Sequence, residues 1–167
     1  MHEPRVAACI ALGANIGEPV RQLEAAFAAL AALPGTQLVA RSSLYRSAPV
    51  GYADQPDFVN AVAIIKTALA PQALLAALLA IERAHGRIRD FPNAPRTLDL
   101  DIVLYGDRVV HEPGLTIPHA RMLERAFVML PLAEVAPDAV VPGHGGVREL
   151  AARVDAASVA QLQRMPG

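Results

Sequence analysis

The order in which apolar periodicity changes along the first 105 residues leaves this chain few folds to adopt. Val6 to Leu12 is a short apolar run that stops at Gly13 and Gly17, the pattern of a buried strand entering a flexible turn. From Glu18 the spacing shifts to three and four. Val20, Leu23, Phe27 and Leu30 share one side, with Pro19 near the first turn and Pro34-Gly35 past the end, which predicts an amphipathic helix. Gln37 to Tyr45 returns to alternation and predicts a second strand. After the turn-like Asp54-Gln55-Pro56-Asp57, the branched residues of Phe58 to Ile65 predict a third strand, antiparallel to the second. Pro71 to His85 carries Leu74, Leu75, Leu78 and Ile81 on one side and is followed by Gly86, predicting a second helix. Leu98 to Tyr105 alternates up to Gly106-Asp107 and predicts a fourth strand.

The resulting order, β-α-β-β-α-β, is the split βαβ, ferredoxin-like arrangement of the α+β class: an antiparallel sheet with both helices on one face. The other face is then expected to be left for function. Behind this core, Pro118 to Val135 predicts one or two short helices, and the loop Gly143-His144-Gly145-Gly146 precedes a weak helix from Val147 to Val154. Asp155 to Gly167 gives the weakest pattern. With 167 residues and 53% hydrophobic content, and with neither an internal repeat nor a low-complexity linker, one domain spanning residues 1–167 is expected.

Fifteen basic residues stand against sixteen acidic ones, so the chain has no global positive field of the kind that drives non-specific binding to nucleic acid or membrane surfaces. Any anion site must be local. Cys9 is the only cysteine, which excludes an intrachain disulfide and a cysteine-based zinc cage and fits a reducing cytoplasm. The apolar run at the N-terminus lacks a basic leader, and Ala73 to Ile81 is short of the roughly 18 to 20 apolar residues a spanning helix needs. No nucleic-acid or membrane partner is expected, and the chain is expected to act as a monomer in the cytoplasm.

The string Arg96-Thr97-Leu98-Asp99-Leu100-Asp101 carries the most chemistry. On a strand whose Leu98, Leu100, Ile102 and Leu104 point to the helices, Asp99 and Asp101 point together to the opposite face. Their Cα atoms are then about 6.6 to 7 Å apart, at a rise near 3.3 Å per residue, which lets their tips grip a pair of divalent ions spaced about 3.5 to 4 Å. Oxygen-only donors favour Mg²⁺. Taken alone, a D-x-D pair on a strand is more often a solvated face. Its neighbours change that balance: between Glu82 and Arg96 stand the arginines Arg83, Arg87, Arg89 and Arg96 against only Glu82 and Asp90. The two-proline segment 90–95 predicts a surface loop able to close over a ligand, and an arginine loop beside paired carboxylates suits polyphosphate chemistry. Arg87 and Arg89 also read as helix C-terminal caps.

Phe58 and Asn60 share a strand face, where a flat heterocycle could stack on one and pair with the other; taken alone, core packing and a strand-end hydrogen bond are the more common explanation. His119 and Arg125 can face the phosphate patch, each a weak signal alone. The chain has no Walker-type or dinucleotide glycine loop and no serine or cysteine nucleophile pattern.

Pro95 to Ile102 (P-R-T-L-D-L-D-I), Asp54 to Asn60 (D-Q-P-D-F-V-N), Ala11 to Gly17 (A-L-G-A-N-I-G), and T-I-P-H with Arg125-Ala126-Phe127 occur in the order that resembles the 6-hydroxymethyl-7,8-dihydropterin pyrophosphokinases of folate biosynthesis. The resemblance runs from about Val6 to Pro142. It implies the ferredoxin-like fold read above and transfer of diphosphate from ATP to a pterin alcohol, with two Mg²⁺ ions. It further implies Asp99 and Asp101 as the magnesium ligands, Phe58 and Phe127 as the aromatic pair around the pterin, and Asn60 as the amide that reads its edge. Ser47, Ala48 and Val50 fall at the pterin pocket, and Glu82, Arg89, Ile102, Thr116 and His119 at ATP-contact positions. Arg87, Arg96 and Arg125 match arginines that contact or orient the phosphates. The sequence departs from the best-known pattern in three places. Phe91 to Ala94 lacks an Arg-Trp pair and is one residue shorter, and Gly114 and Leu79 replace nucleotide-contacting Arg and Gln. Two other readings are a non-catalytic ferredoxin-like binding or regulatory module, and a magnesium nuclease or ordinary γ-phosphoryl kinase built on the same aspartates.

Overall fold

The computed structural model describes residues 4–15, 17–47, 57–85, 98–119 and 121–166. Its centre is β1 (Val6–Ala14), hydrogen-bonded on one side to β4 (Phe58–Thr67) and on the other to β5 (Asp99–Tyr105), antiparallel in both cases. β2 (Thr36–Arg41) and β3 (Tyr45–Ser47) both pair with β4 on its outer side. The four-strand order of the split βαβ is therefore present, as the periodicity predicted. α1 (Pro19–Ala31) and α2 (Pro71–Ala84) each open on a proline, whose missing N–H removes no helical bond at that position. Leu23, Phe27 and Leu30 of α1 and Leu74, Leu78 and Ile81 of α2 pack with Ile10, Leu12, Leu100 and Ile102 in one core on one face of the sheet. The predicted helix stop at Gly86 lies outside the described residues.

The structure corrects or extends the sequence reading in five places. The predicted second strand is split. From Arg41↔Ala63 to Tyr45↔Asn60, four steps along one strand meet three along the other, so one residue is extra. Ser42 absorbs it: its N–H donates to the Val62 carbonyl at 2.8 Å, and its hydroxyl oxygen accepts the Val62 N–H at 2.9 Å.

The alternation of β5 also breaks. Cys9 pairs with Leu104 and Ile10 with Ile102, which leaves Val103 bulged. Leu104 therefore packs on the opposite face from Leu100 and Ile102, not with them as expected, while Tyr105 returns to the helix side and donates its hydroxyl to the Leu69 carbonyl at 2.6 Å.

The second sheet face is not simply left open. α3 (Ala126–Val135) and α4 (Val147–Ala152) cover much of it, with Met129, Leu132, Val147 and Leu150 packed on Cys9, Val62, Val103 and Leu104. A 3-10 turn, Met122–Glu124, leads into α3, so the expected short helices after Pro118 are present. Finally, the tail adds α5 (Ala156–Ala160) and a strand, β6 (Leu162–Arg164), antiparallel to β3 at the edge of the main sheet. Between β5 and the 3-10 turn, Val110–Glu112 pairs with Leu115–Ile117 as a hairpin that the sequence reading did not include.

Candidate active site

One row of residues crosses the sheet: Tyr45 pairs with Asn60, Asn60 with Gly13, and Gly13 with Asp99. The next row on the same face joins Val62, Ala11 and Asp101. Two strand spacings of about 4.8 Å separate the backbones of Asn60 and Asp99, about 10 Å in all along the cavity floor. Gly13 keeps that floor low, since a Cβ there would come within 3.3 Å of Asn60 Oδ1. Asp99 is half-buried and Asp101 exposed, both on the face away from α1 and α2, as the alternation predicted.

Above this floor lies a cavity of about 620 Å³, whose walls include Ser47, Phe58, Asn60, Asp99, Asp101 and Phe127. Asn60 is buried, and its amide nitrogen donates to Ser47 Oγ at 2.8 Å and to the Tyr45 carbonyl at 3.5 Å. That arrangement holds the amide plane in one orientation. Phe127 reaches the cavity from the first turn of α3, and the Arg125 guanidinium carbon lies 5.5 Å from its ring centroid. Phe58 and Phe127 thus both present aromatic surface to the one cavity.

A second cavity, of about 460 Å³, is bounded by Leu75, Ile102, Gly114 and Thr116. Asp101, His119, Arg121 and Arg125 line both cavities and so mark their junction. The β5 bulge places one of them. His119 donates its backbone N–H to the carbonyl of the bulged Val103 at 3.1 Å, which ties it beside Asp101. His119 Nδ1 accepts the Arg121 N–H at 3.3 Å, so in the neutral ring the proton sits on Nε2. Among the described residues, neither Arg121 nor Arg125 has a carboxylate partner, which leaves two guanidinium groups at the junction for a ligand's anionic oxygens.

Glu82 is placed differently from a direct nucleotide contact. It is 3% exposed beneath β5, its Oε2 accepts the Leu100 N–H at 2.8 Å, and it is not among the residues lining the two cavities. Ser47, Phe58, Asn60, Asp99, Asp101, Ile102, Thr116, His119, Arg125 and Phe127 line one or both of the two cavities. Ala48, Val50, Arg87, Arg89 and Arg96, with the 91–94 loop, lie outside the described residues. The sequence reading missed Arg121, which carries no motif of its own, and the tail residues Ser158, Gln161 and Leu162, which line the larger cavity. The Tyr45 hydroxyl donates to Glu134 Oε1 at 2.6 Å, and its carbonyl steadies Asn60. Burial pushes the Cys9 thiol up to about 12, so the lone cysteine offers no thiolate chemistry.

A family model described as 7,8-dihydro-6-hydroxymethylpterin-pyrophosphokinase (HPPK) matches residues 9–137. The chain belongs to the HPPK family. It is 50% identical over 158 residues to a 2-amino-4-hydroxy-6-hydroxymethyldihydropteridine pyrophosphokinase of Pseudomonas aeruginosa, covering 95% of this chain and 96% of that one. A Haemophilus influenzae protein of the same description is 50% identical over 145 residues, 87% of this chain and 91% of its own. A crystal structure of a Plasmodium falciparum HPPK-DHPS variant superposes with a TM-score of 0.74 at 15% identity, a likeness of fold. This HPPK chain covers 44% of that longer chain, which in turn matches 90% of it. Among the described residues, no helix is long and apolar enough to cross a membrane.

Proposed function

We propose that this HPPK chain transfers a diphosphate group from ATP to the hydroxymethyl oxygen of 6-hydroxymethyl-7,8-dihydropterin, releasing AMP, as a step in folate biosynthesis. The observation that carries this reading is the junction: Asp101, beside Asp99 on one strand face, opens to both cavities together with Arg121 and Arg125. The larger cavity suits the pterin, stacked between Phe58 and Phe127 and read by Asn60, with Ser47 at its side; the resemblance adds Ala48 and Val50 to the pterin contacts. The smaller suits the nucleotide, along Ile102, Thr116 and His119; the resemblance adds Arg89 to the nucleotide contacts. Glu82 acts from behind β5 as a positioning residue.

The donor set fits magnesium. Among the described residues no group of three metal-binding side chains occurs, and two carboxylates completed by water and phosphate oxygens are the usual arrangement for Mg²⁺ in phosphoryl transfer. Asp99 and Asp101 would hold two ions, which neutralise phosphate charge and make the attacking hydroxyl more acidic. The substrate hydroxymethyl oxygen forms a bond to the β-phosphorus while the bond from that phosphorus to the α,β-bridging oxygen breaks. AMP leaves with the electron pair, and the hydroxyl proton passes to solvent. Arg121 and Arg125, joined by Arg87 and Arg96, hold the non-bridging oxygens in line. The chain contributes orientation and charge, without a covalent intermediate.

Incubation with MgATP and the reduced pterin tests the reading. AMP and pterin diphosphate in equal amounts support it. ADP would identify a γ-phosphoryl kinase, and binding without any nucleotide product would identify a non-catalytic module. We also take residues 1–167 to be one pyrophosphokinase domain, monomeric and cytoplasmic; a sedimentation mass of twice the chain would count against the monomer.

A further inference from the structure

The C-terminal tail lies beyond the residues that match the family model, yet it meets the larger cavity at three places, Ser158, Gln161 and Leu162. None of the three lines the smaller cavity. The contact is built into the sheet. β6 pairs with β3 in the register Leu162↔Ser47, Gln163↔Arg46 and Arg164↔Tyr45, so Leu162 stands beside the serine whose Oγ accepts the Asn60 amide.

A buckle fixes this register. Arg164 Nε donates to Ser43 Oγ at 2.9 Å, its Nη2 lies 3.5 Å from Glu134 Oε2, and the Met165 N–H donates to the Leu44 carbonyl at 2.8 Å. Glu134 also accepts the Tyr45 hydroxyl at 2.6 Å and the Ser43 N–H at 2.9 Å, so one carboxylate on α3 ties the tail to both residues that lead into the cavity wall. β3 is three residues long, and without β6 it would be an edge strand with unpaired backbone groups on its outer side.

We infer that the tail is the outer wall of the pterin subsite: Leu162 and Gln161 set the affinity for the pterin and leave the affinity for the nucleotide unchanged. Leu162 supplies apolar surface beside Ser47, and Gln161 a polar side chain at the rim. The inference rests on the assignment of the larger cavity to the pterin.

The test uses the full chain with Leu162→Ala and Gln161→Ala, and with Gln163→Ala as a control on the same strand outside the cavity. Steady-state AMP release gives KM for the pterin, equilibrium binding of a nonhydrolysable MgATP analogue gives the nucleotide Kd, and thermal denaturation reports folding. Leu162→Ala is expected to raise the pterin KM about tenfold or more, the scale for apolar groups lost from a pocket. Gln161→Ala, on an exposed side chain, is expected to raise it several-fold with an unchanged Tm, and both variants leave the analogue Kd within about twofold; Gln163→Ala changes neither constant. An unchanged pterin KM in both cavity variants, or equal losses for the two substrates, would overturn the inference. If the unsubstituted chain forms no AMP, the activity reading fails first and this inference falls with it, an outcome distinct from an active chain whose tail variants behave normally.

Discussion

The Glu82 carboxylate on α2 accepts the backbone N–H of Leu100 at 2.8 Å, and Leu100 is the residue between Asp99 and Asp101. A helix side chain thereby fixes the strand segment that aims both aspartates. Glu82→Ala removes the acceptor and leaves a buried N–H, at a cost of about 1 to 3 kcal/mol. Glu82→Gln keeps an acceptor oxygen. Urea denaturation should rank the stabilities wild type, Gln variant, Ala variant, with turnover falling in the same order; an Ala variant as stable and active as wild type would show that the contact does not position β5.

Asp101→Ala should lower turnover by several powers of ten, because the proposed metal site loses the carboxylate that lines both cavities. Raising Mg²⁺ should restore little of it. Single-turnover AMP formation across a Mg²⁺ titration measures this, and near-normal turnover would remove Asp101 from the metal site.

Gly13→Ala probes the cavity floor. The added Cβ lies 3.3 Å from Asn60 Oδ1, so the amide must give by a few tenths of an ångström. The pterin KM should rise while the nucleotide Kd and Tm change little. A larger effect on the nucleotide would place Asn60 away from the pterin.

The Tyr45–Glu134 pair predicts where stability depends on pH. Burial acts to raise the Glu134 pKa, but hydrogen bonds from Tyr45 and Ser43, with Arg164 nearby, overcome it and hold the carboxyl below its ordinary 4.5. Its contribution is therefore present above about pH 4.5 and is lost as pH falls through the lower folded-state value. Burial first, and then the bond to Glu134, push the Tyr45 phenol from 10.0 up to about 12. That contribution is complete below pH 10 and is lost as pH rises towards 12. Denaturation midpoints measured across pH should show both losses. Tyr45→Phe should remove its share of the alkaline loss and move the acid loss to higher pH; a profile identical to wild type would dissolve the pair.

Asp99 and Asp101 were legible in the sequence because strand alternation is local: two residues apart on a regular stretch of strand means the same face, and the bulge at Val103 comes only after both aspartates. The same holds for Phe58 and Asn60, and for the helix stripes ending at Leu30 and Ile81. Arg87, Arg89 and Arg96 rest on the local charge pattern and the resemblance, since they fall outside the described residues. Arg121 was not legible. Its place at the junction follows from a turn tied to the bulge at Val103, and nothing in the 119–125 string announces it.

The sequence by itself determined the order of the β-α-β-β-α-β core, the paired aspartates and the aromatic-amide pair, because periodicity and turn chemistry act over windows of a few residues. Tertiary structure alone decided that Val103 bulges, that α3 and α4 cover part of the second face, that Glu82 sits beneath β5, and that the tail strand walls the cavity. Each of these joins residues far apart in the chain. Their energies depend on register and on which surface packs over which, quantities that exist only once the sheet has formed.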